Sequence, residues 1–185
     1  MKISEADILI VPGLGNSGPG HWQYRWQEKM TNAQLVDQDE WKNPELGPWV
    51  DNLEQAILMA TRPVVLVGHS LGVLTIVHTA QRLSDTKVKG ALLVAPIDVD
   101  ENKKVPKASR VFANVPRDPL PFPSLLVASG NDKFCTIERA ADMAMAWGSE
   151  FHNAGEAGHI DLTSGHGPWP EGLMMFSRLM QRIKA

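Results

Sequence analysis

Residues 64–72, VVLVGHSLG, are the stretch that decides the fold of this chain. The apolar run at 64–67 predicts a strand that is buried on both faces. The next five residues fit the pattern Gly-x-Ser-x-Gly, in which a serine occupies a tight turn between a strand and a helix. We therefore predict a nucleophile elbow with Ser70 at its tip.

The glycines on either side of Ser70 explain the spacing of this motif. A serine in so tight a turn is strained, and side chains at Gly68 and Gly72 would collide with their neighbours. The turn also directs the N-terminus of the next helix at the hydroxyl group, so the backbone N–H of Leu71 faces a developing oxyanion. A glycine-rich turn in another kind of α/β protein stays the alternative. Apolar residues at helical spacing support the helix: Val73, Ile76, Val77, Ala80 and Leu83.

The rest of the chain alternates predicted strands with predicted helices. Connections this short favour a mostly parallel sheet of about six strands with helices on both faces, in one α/β domain spanning residues 1–185. Residues 101–123 show no sustained periodicity, which leaves a small cap and a surface excursion as alternatives. The strands are predicted at 7–12, 33–36, 64–67, 90–96, 124–129 and 150–153, and helical stripes begin at Trp22, Trp49, Val73, Ile137 and Leu173.

Composition limits the classes of function. The 185 residues are 43% hydrophobic, which suits a globular chain with a substantial core. A net charge of -3 leaves no basic footprint, so we expect neither nucleic acid nor a membrane surface as a partner. The first apolar run is too short for a signal segment, and Cys135 is the one cysteine, so we expect a cytoplasmic protein.

Two further residues accompany Ser70 as candidate catalytic groups. Asp132 and His159 each follow a predicted strand, and serine, acid, histidine is the chain order of the α/β-hydrolase triad. In this interpretation His159 takes the proton of Ser70, and Asp132 orients the imidazole and stabilises the imidazolium. Asp98 also follows a strand, and it stays open as an alternative acid.

Three competing chemistries have weaker support. The loop at 13–20 is rich in glycine, but it lacks the Gly-Lys-Ser/Thr ending of a P-loop and misses the dinucleotide-binding frame. His159, Asp161 and His166 are of metal-ligating types, but their spacing matches no established ligand pattern. Cys135 has no glycine elbow around it. We therefore predict no metal and no organic cofactor.

The loop after the first strand and the helix that follows it supply most of the remaining site candidates, and Trp169 comes after the histidine loop. In α/β-hydrolases this loop gives the second oxyanion N–H, for which Leu14 is the candidate and Gly15 the next choice, beside Leu71. For Trp22 and Trp169, a position in the core is the simpler interpretation. The candidate substrate-binding residues are Asn16, His21, Trp22 and Trp169.

Several of these motifs together resemble one family. They are VPGLGNS at 11–17 with HWQ at 21–23, the acidic segment around Trp41, GHSLG at 68–72, SGND at 129–132 and GHI at 158–160. The chain resembles the small α/β-hydrolase-fold serine hydrolases that include retinoblastoma-binding protein 9 and bacterial YdeN-like proteins. The tail SGHGPWPEG at 164–172 is similar to the bacterial branch in particular.

The resemblance implies a reduced three-layer α/β-hydrolase fold without a large lid, and it implies the same triad of Ser70, Asp132 and His159. We therefore expect a carboxylesterase-like serine hydrolase that cleaves small acyl esters, or related thioesters or amides, through an acyl-enzyme. Its partner is then a small acyl substrate. The alternative is a non-catalytic binding protein on the same fold, since fold does not dictate function and one member of the family is named for protein binding.

Overall fold

The computed structural model describes residues 1–83 and 87–183, and a parallel sheet lies at its centre. All five pairings between neighbouring strands are parallel, and the strand order is 2-1-3-4-5-6 in chain numbering. The prediction of a mostly parallel sheet of about six strands is confirmed. The strands are β1 (Asp7–Val11), β2 (Ala33–Leu35), β3 (Val64–His69), β4 (Val88–Val94), β5 (Ser124–Ala128) and β6 (Glu150–Asn153).

Five α-helices of the described chain cover the sheet on both faces, and together they give the three predicted layers. Buried residues of α2, α3 and α4 share one apolar cluster with one face, and those of α1 and α5 share a second cluster with the other. The helices are α1 (Trp22–Lys29), α2 (Leu46–Met59), α3 (Leu71–Ala80), α4 (Ile137–Trp147) and α5 (Pro170–Arg182).

The strand that carries the elbow motif lies in the middle of the sheet. β3 pairs with β1 on one side and β4 on the other, and all six of its residues are buried. This arrangement confirms the prediction of a strand buried on both faces. Because it is held on both edges, β3 gives a rigid support to whatever follows its carboxyl end.

The carboxyl ends of β1 and β3 border a crevice. The chain leaves β1 toward β2 in one direction and β3 toward β4 in the other, and such a switch point is where open parallel sheets bind ligands. Gln23, which is fully buried, joins β1 and β3 near these ends. Its amide nitrogen donates to the carbonyl oxygens of Val11 and Val67 at 3.3 and 3.0 Å, and its amide oxygen accepts from Ser17 at 2.6 Å.

Residues 101–123, whose role the sequence leaves open, pack on the molecule as a small rim. A 3-10 helix covers Lys107–Phe112, and the Phe112 side chain is fully buried against the cluster of α2 and α3. The 3-10 helix explains why no α-helical or strand periodicity is visible there. In the described chain no large helical lid covers the sheet. No helix within residues 1–83 and 87–183 is long and apolar enough to cross a membrane.

Candidate active site

Ser70 lies in the strained turn that the elbow motif predicts. Its backbone angles φ and ψ are 58° and −122°, values that residues other than glycine rarely adopt. Gly72 is required because a Cβ there would run into the carbonyl oxygens of Val11 and Pro12. Gly13 is required as well, since its Cβ would lie 2.9 Å from the Cβ of Ser70. Both glycines let the first loop approach the serine closely.

Ser70, His159 and Asp132 form one chain of hydrogen bonds. The Nε2 atom of His159 lies 2.9 Å from the Ser70 hydroxyl oxygen, and its Nδ1 atom lies 2.7 Å from Oδ2 of Asp132. The other carboxylate oxygen of Asp132 accepts the N–H of Phe134 at 2.9 Å. Only 2% of the Asp132 side chain and 10% of the His159 side chain are exposed, so little water competes for these bonds.

A second set of hydrogen bonds joins the loop of the acid to the loop of the histidine. The side-chain oxygen of Asn131 accepts the N–H of Gly158 at 2.7 Å, and the Ser129 hydroxyl accepts the N–H of Ala157 at 2.9 Å. The N–H of Gly130 donates to the carbonyl of Gly155 at 2.7 Å. The quoted motifs contain Ser129 and Asn131 but do not predict their role, which is to fix the Asp132 loop against the His159 loop.

His69, the variable residue of the elbow, contacts the backbone of His159. Its Nε2 atom lies 2.9 Å from the His159 carbonyl oxygen, which accepts only if Nε2 carries the proton. The two rings are 5.0 Å apart, and the ring of His21 lies 4.9 Å from that of His69 on the other side. His69 therefore joins the elbow to the histidine loop, a role finer than the structural one expected from the sequence.

His21 and His69 are both neutral at neutral pH. Burial, and the nearby His159 and His166, lower the pKa of His21 to about 4 against the opposing pull of Asp161. Burial, with His159 and His21 beside it, also holds the pKa of His69 well below its usual range. The uncharged rings add no like charge next to His159, so a proton arriving on His159 meets no neighbouring cation in this group.

Asp98, the alternative acid, has a different partner. Its carboxylate lies 3.4 Å from Nε of Arg139 and accepts the N–H of Glu101 at 3.2 Å. The structure thus brings Asp132, and not Asp98, to the imidazole of His159. The two aspartates follow neighbouring strands at equal distance, and for that reason strand position alone left both open.

The two candidate oxyanion donors flank Ser70 from both neighbouring segments. Leu71 is the first residue of α3, where a backbone N–H has no partner within the helix. On the other side, the N–H of Gly15 already donates to the carbonyl of Trp41 at 2.9 Å, which leaves Leu14 as the candidate in this loop. Gly13 allows this loop to approach the elbow closely, because a side chain at this position would place a Cβ atom only 3.2 Å from the Leu71 nitrogen.

The hydroxyl group of Ser70 opens into a cavity of about 350 Å³. Of the candidate substrate-binding residues, Asn16 and His21 line this cavity and Trp22 and Trp169 do not. The segment after β4 and the 3-10 helix contribute lining that sequence reasoning missed, because residues 101–123 carry no readable motif. The lining also includes Leu14, Ser17, His69, Ile97, Pro106, Ser109, Phe134, His159, Asp161 and Leu162.

Trp22 and Trp169 therefore do not line this cavity, and both belong to the core, in keeping with the simpler interpretation of these two residues. Their ring centroids lie 4.9 Å apart on the face covered by α1 and α5, with exposures of 0% and 4%. The indole N–H of Trp22 donates to the carbonyl of Ile160 at 2.9 Å. Two large apolar rings gain more from this burial than from a cavity edge, and they support the His159 loop from below.

The alternative chemistries find no matching geometry in the described residues. Asp161 accepts hydrogen bonds from Thr163 and Ser164, and the Ser164 hydroxyl also lies 3.2 Å from Nδ1 of His166, whereas His159 bonds Ser70 and Asp132. No group of three or more His, Cys, Asp or Glu within 1–83 and 87–183 is arranged to hold a metal ion. Burial, with Asp98 and Asp132 nearby, raises the pKa of the Cys135 thiol to about 12, so it is a poor nucleophile.

Solved structures share this fold, and one of the following three is named as a hydrolase. A YdeN-like hydrolase of Pectobacterium atrosepticum is 34% identical over 96% of this chain and 92% of its own, with a TM-score of 0.86. The YdeN protein of Bacillus subtilis is 17% identical over 96% and 100%, with a TM-score of 0.78. Est1E of Butyrivibrio proteoclasticus is 13% identical over 95% and 88%, with a TM-score of 0.68. No curated protein matches the sequence.

Fold and neighbours together define a hydrolase with a small α/β-hydrolase fold. Residues 8–178 match the family described as serine hydrolase, and the chain belongs to that family. The resemblance to YdeN-like proteins noted from the sequence motifs is confirmed.

Proposed function

We propose that this protein is a carboxylesterase-like enzyme that cleaves small acyl esters, or related thioesters or amides, with Ser70, His159 and Asp132 as its catalytic triad. The observation that carries the proposal is the chain of hydrogen bonds from the Ser70 hydroxyl through His159 to Asp132 at the floor of a cavity. A nucleophile within reach of a base that a third group orients is the arrangement that acyl transfer needs.

The reaction proceeds in two halves. The Ser70 oxygen bonds to the acyl carbon while its proton moves to Nε2 of His159, and Asp132 stabilises the imidazolium. The tetrahedral intermediate then collapses, the bond to the leaving group breaks, and His159 gives its proton to that group. A water molecule attacks the acyl-enzyme by the same path and releases the acid and Ser70.

The backbone N–H groups of Leu14 and Leu71 are the proposed donors to the oxyanion of the tetrahedral intermediate. Both segments lie beside Ser70 because Gly13 and Gly72 allow the close approach of the first loop. Removal of one oxyanion donor in such sites costs about 3 kcal/mol of transition-state stabilisation. Asn16 and His21 are the proposed substrate contacts, and both line the cavity.

The size of the cavity supports small substrates. A volume of about 350 Å³ lies at the lower end of the range for ligand sites, roughly 300 to 1,000 Å³. The triad can attack the acyl carbon of an ester, a thioester or an amide by the same path. Esters come ahead of amides because an alcohol leaving group needs less assistance from the general acid than an amine does.

Labelling with a fluorophosphonate probe tests the nucleophile. We expect the wild-type protein to be labelled, Ser70→Ala to lose the label entirely and His159→Ala to lose most of it. Ser177→Ala is the matched control, because Ser177 lies on α5 and does not line the cavity, and it should label normally. Persistent labelling of Ser70→Ala would place the nucleophile elsewhere.

Hydrolysis of short-chain p-nitrophenyl esters by the same proteins tests the reaction. We expect turnover that falls with acyl length and that disappears in Ser70→Ala. A folded wild-type protein that neither labels nor hydrolyses any ester would contradict the proposal and favour the non-catalytic binding protein.

A further inference from the structure

One wall of the cavity is built from the segment after β4, the 3-10 helix and the loop after β5. It consists of Ile97, Pro106, Ser109 and Phe134, which we call the Ser109 wall. Hydrogen bonds hold these segments together. The N–H of Asp98 donates to the Phe134 carbonyl at 3.0 Å, and the Arg110 guanidinium donates to the carbonyls of Val99 and Asn102 at 3.0 Å each.

The Ser109 hydroxyl is the exceptional group of this wall. The residue is fully buried, yet its hydroxyl oxygen has no hydrogen-bond partner among the described residues. The three other buried serines of the described chain have hydrogen-bond partners: Ser17 bonds Gln23, Ser124 bonds Ser149, and Ser129 bonds Asn131. The chain therefore pairs its buried hydroxyls as a rule, and it leaves one unpaired beside the candidate active site.

An unpaired hydroxyl of this kind is unfavourable unless something completes it. A buried polar group without a partner destabilises the fold, and the other members of the Ser109 wall are apolar. Alanine would fill the same position without that cost. Rotation about the Cα–Cβ bond is the single torsion that moves a serine oxygen, and Ser109 is one of the residues that line the cavity.

We propose that Ser109 selects substrates, and that the group it selects is an oxygen atom on a short aliphatic arm of the ester. The Ser109 wall takes the hydrocarbon part of that arm, and the hydroxyl donates a hydrogen bond to its ether, keto or hydroxyl oxygen. This inference rests on the proposed function, since it assumes an ester at Ser70. The preferred substrates are oxygenated short-chain esters, ahead of plain alkyl esters of equal size.

Pairs of esters that differ by one atom test this selection. p-Nitrophenyl butanoate and p-nitrophenyl methoxyacetate differ by CH₂ against oxygen in the acyl arm, and butyl acetate and 2-methoxyethyl acetate differ likewise in the alcohol arm. The measured quantity is the ratio of kcat/KM, oxygenated over plain, in each pair. Comparison of this ratio between wild type and variant cancels the intrinsic reactivity of the esters.

We expect Ser109→Ala to lower this ratio about three- to tenfold in one of the two pairs, the value of one hydrogen bond. The pair that responds identifies whether the acyl or the alcohol arm lies on the Ser109 wall. Ser109→Cys, which keeps the shape with a weaker donor, should lower the ratio less and carries the test if the alanine variant fails to fold. Ser124→Ala, a buried serine at the amino end of β5, is the matched control and should leave both ratios unchanged.

The failures are distinguishable. Ratios that stay unchanged in both pairs while the wild type hydrolyses esters would overturn the selection by Ser109 and leave the proposed function standing. The absence of both ester turnover and fluorophosphonate labelling would overturn the two together. A melting temperature that falls in Ser109→Ala would show that the hydroxyl has a structural partner, which also contradicts the inference.

Discussion

Asp132 and Asp98 occupy equivalent positions and have different surroundings. Each lies four residues beyond the end of its strand, β5 for Asp132 and β4 for Asp98, and the two strands are neighbours in the sheet. Both side chains are nearly buried, with exposures of 2% and 8%. Asp132 bonds His159, whose ring lies beside that of His69, whereas Asp98 faces the Arg139 guanidinium.

The difference shows that the partner, and not the position, assigns the role of a carboxylate. Arg139 is a permanent cation, so it holds Asp98 in a structural ion pair. The imidazole of His159 can take up and return a proton, so the carboxylate beside it stabilises the imidazolium for as long as the proton is bound. The Asp132 side is therefore suited to catalysis and the Asp98 side to holding the rim of residues 101–123 in place.

The largest expected effect comes from exchanging each carboxylate for its amide. Asp132→Asn should lower kcat by about 10⁴-fold, because the amide holds the imidazole in the wrong tautomer. Asp98→Asn should leave kcat within a few-fold and lower the free energy of unfolding by about 2 kcal/mol, since Arg139 loses its nearest partner. Ester turnover and urea denaturation measure the two effects. Equal losses of turnover in both variants would remove the distinction between the two sides.

The next effect is a loss of stability in acid, and it belongs to the histidine side. His21 and His69 are neutral in the folded protein, with pKa values of about 4 and well below the usual range, while their unfolded pKa is 6.5. Below pH 6.5 these histidines bind protons in the unfolded chain but not in the folded protein, so the free energy of unfolding falls as the pH falls. His21 should remove roughly 1.5 kcal/mol between pH 6.5 and pH 5, and His69 should act in the same direction.

Variants of the two histidines separate this effect from general acid denaturation. His21→Asn keeps a side-chain acceptor for the N–H of Gln23 at the start of α1, and His69→Gln keeps a donor for the His159 carbonyl. Each should unfold with a pH dependence that is smaller by one proton between pH 6.5 and pH 5. Urea denaturation at several pH values measures the slope. A slope that matches the wild type would mean that the replaced ring is protonated in the fold.

Much of this site follows from the sequence because strands, turns and chain order are local patterns. The apolar run before Ser70 predicted β3, and the strand ends predicted that Asp132 and His159 lie near it. The ties made by Ser129 and Asn131 depend on which loops meet across the sheet, which periodicity does not encode. A helical stripe likewise predicts that Trp22 is buried, but not whether its ring reaches the cavity, and the 3-10 helix of the Ser109 wall has no period to detect.

A smaller effect concerns His69 as a positioning residue for His159. His69→Leu removes the donor to the His159 carbonyl, and we expect kcat to fall about tenfold with KM nearly unchanged, because the bond fixes the base and not the substrate. His69→Gln should restore most of kcat, since its amide N–H can replace the ring donor. A loss that appears in KM, or that the glutamine does not repair, would mean that His69 acts through the cavity wall instead.

The smallest expected effect is at Cys135, which lies near the carboxylates of both Asp98 and Asp132. Burial, with Asp98 and Asp132 beside it, raises the pKa of this thiol to about 12, so at pH 8 only about one molecule in 10⁴ carries the reactive thiolate. Iodoacetamide should therefore leave the folded protein unmodified and fully active, and label it once urea exposes the residue. Asp98→Asn removes one of the two carboxylates but leaves the burial, so it should not make the thiol reactive. Rapid labelling with loss of turnover would assign the nucleophile to the cysteine and remove the reason to treat Asp132 as the partner of a serine mechanism.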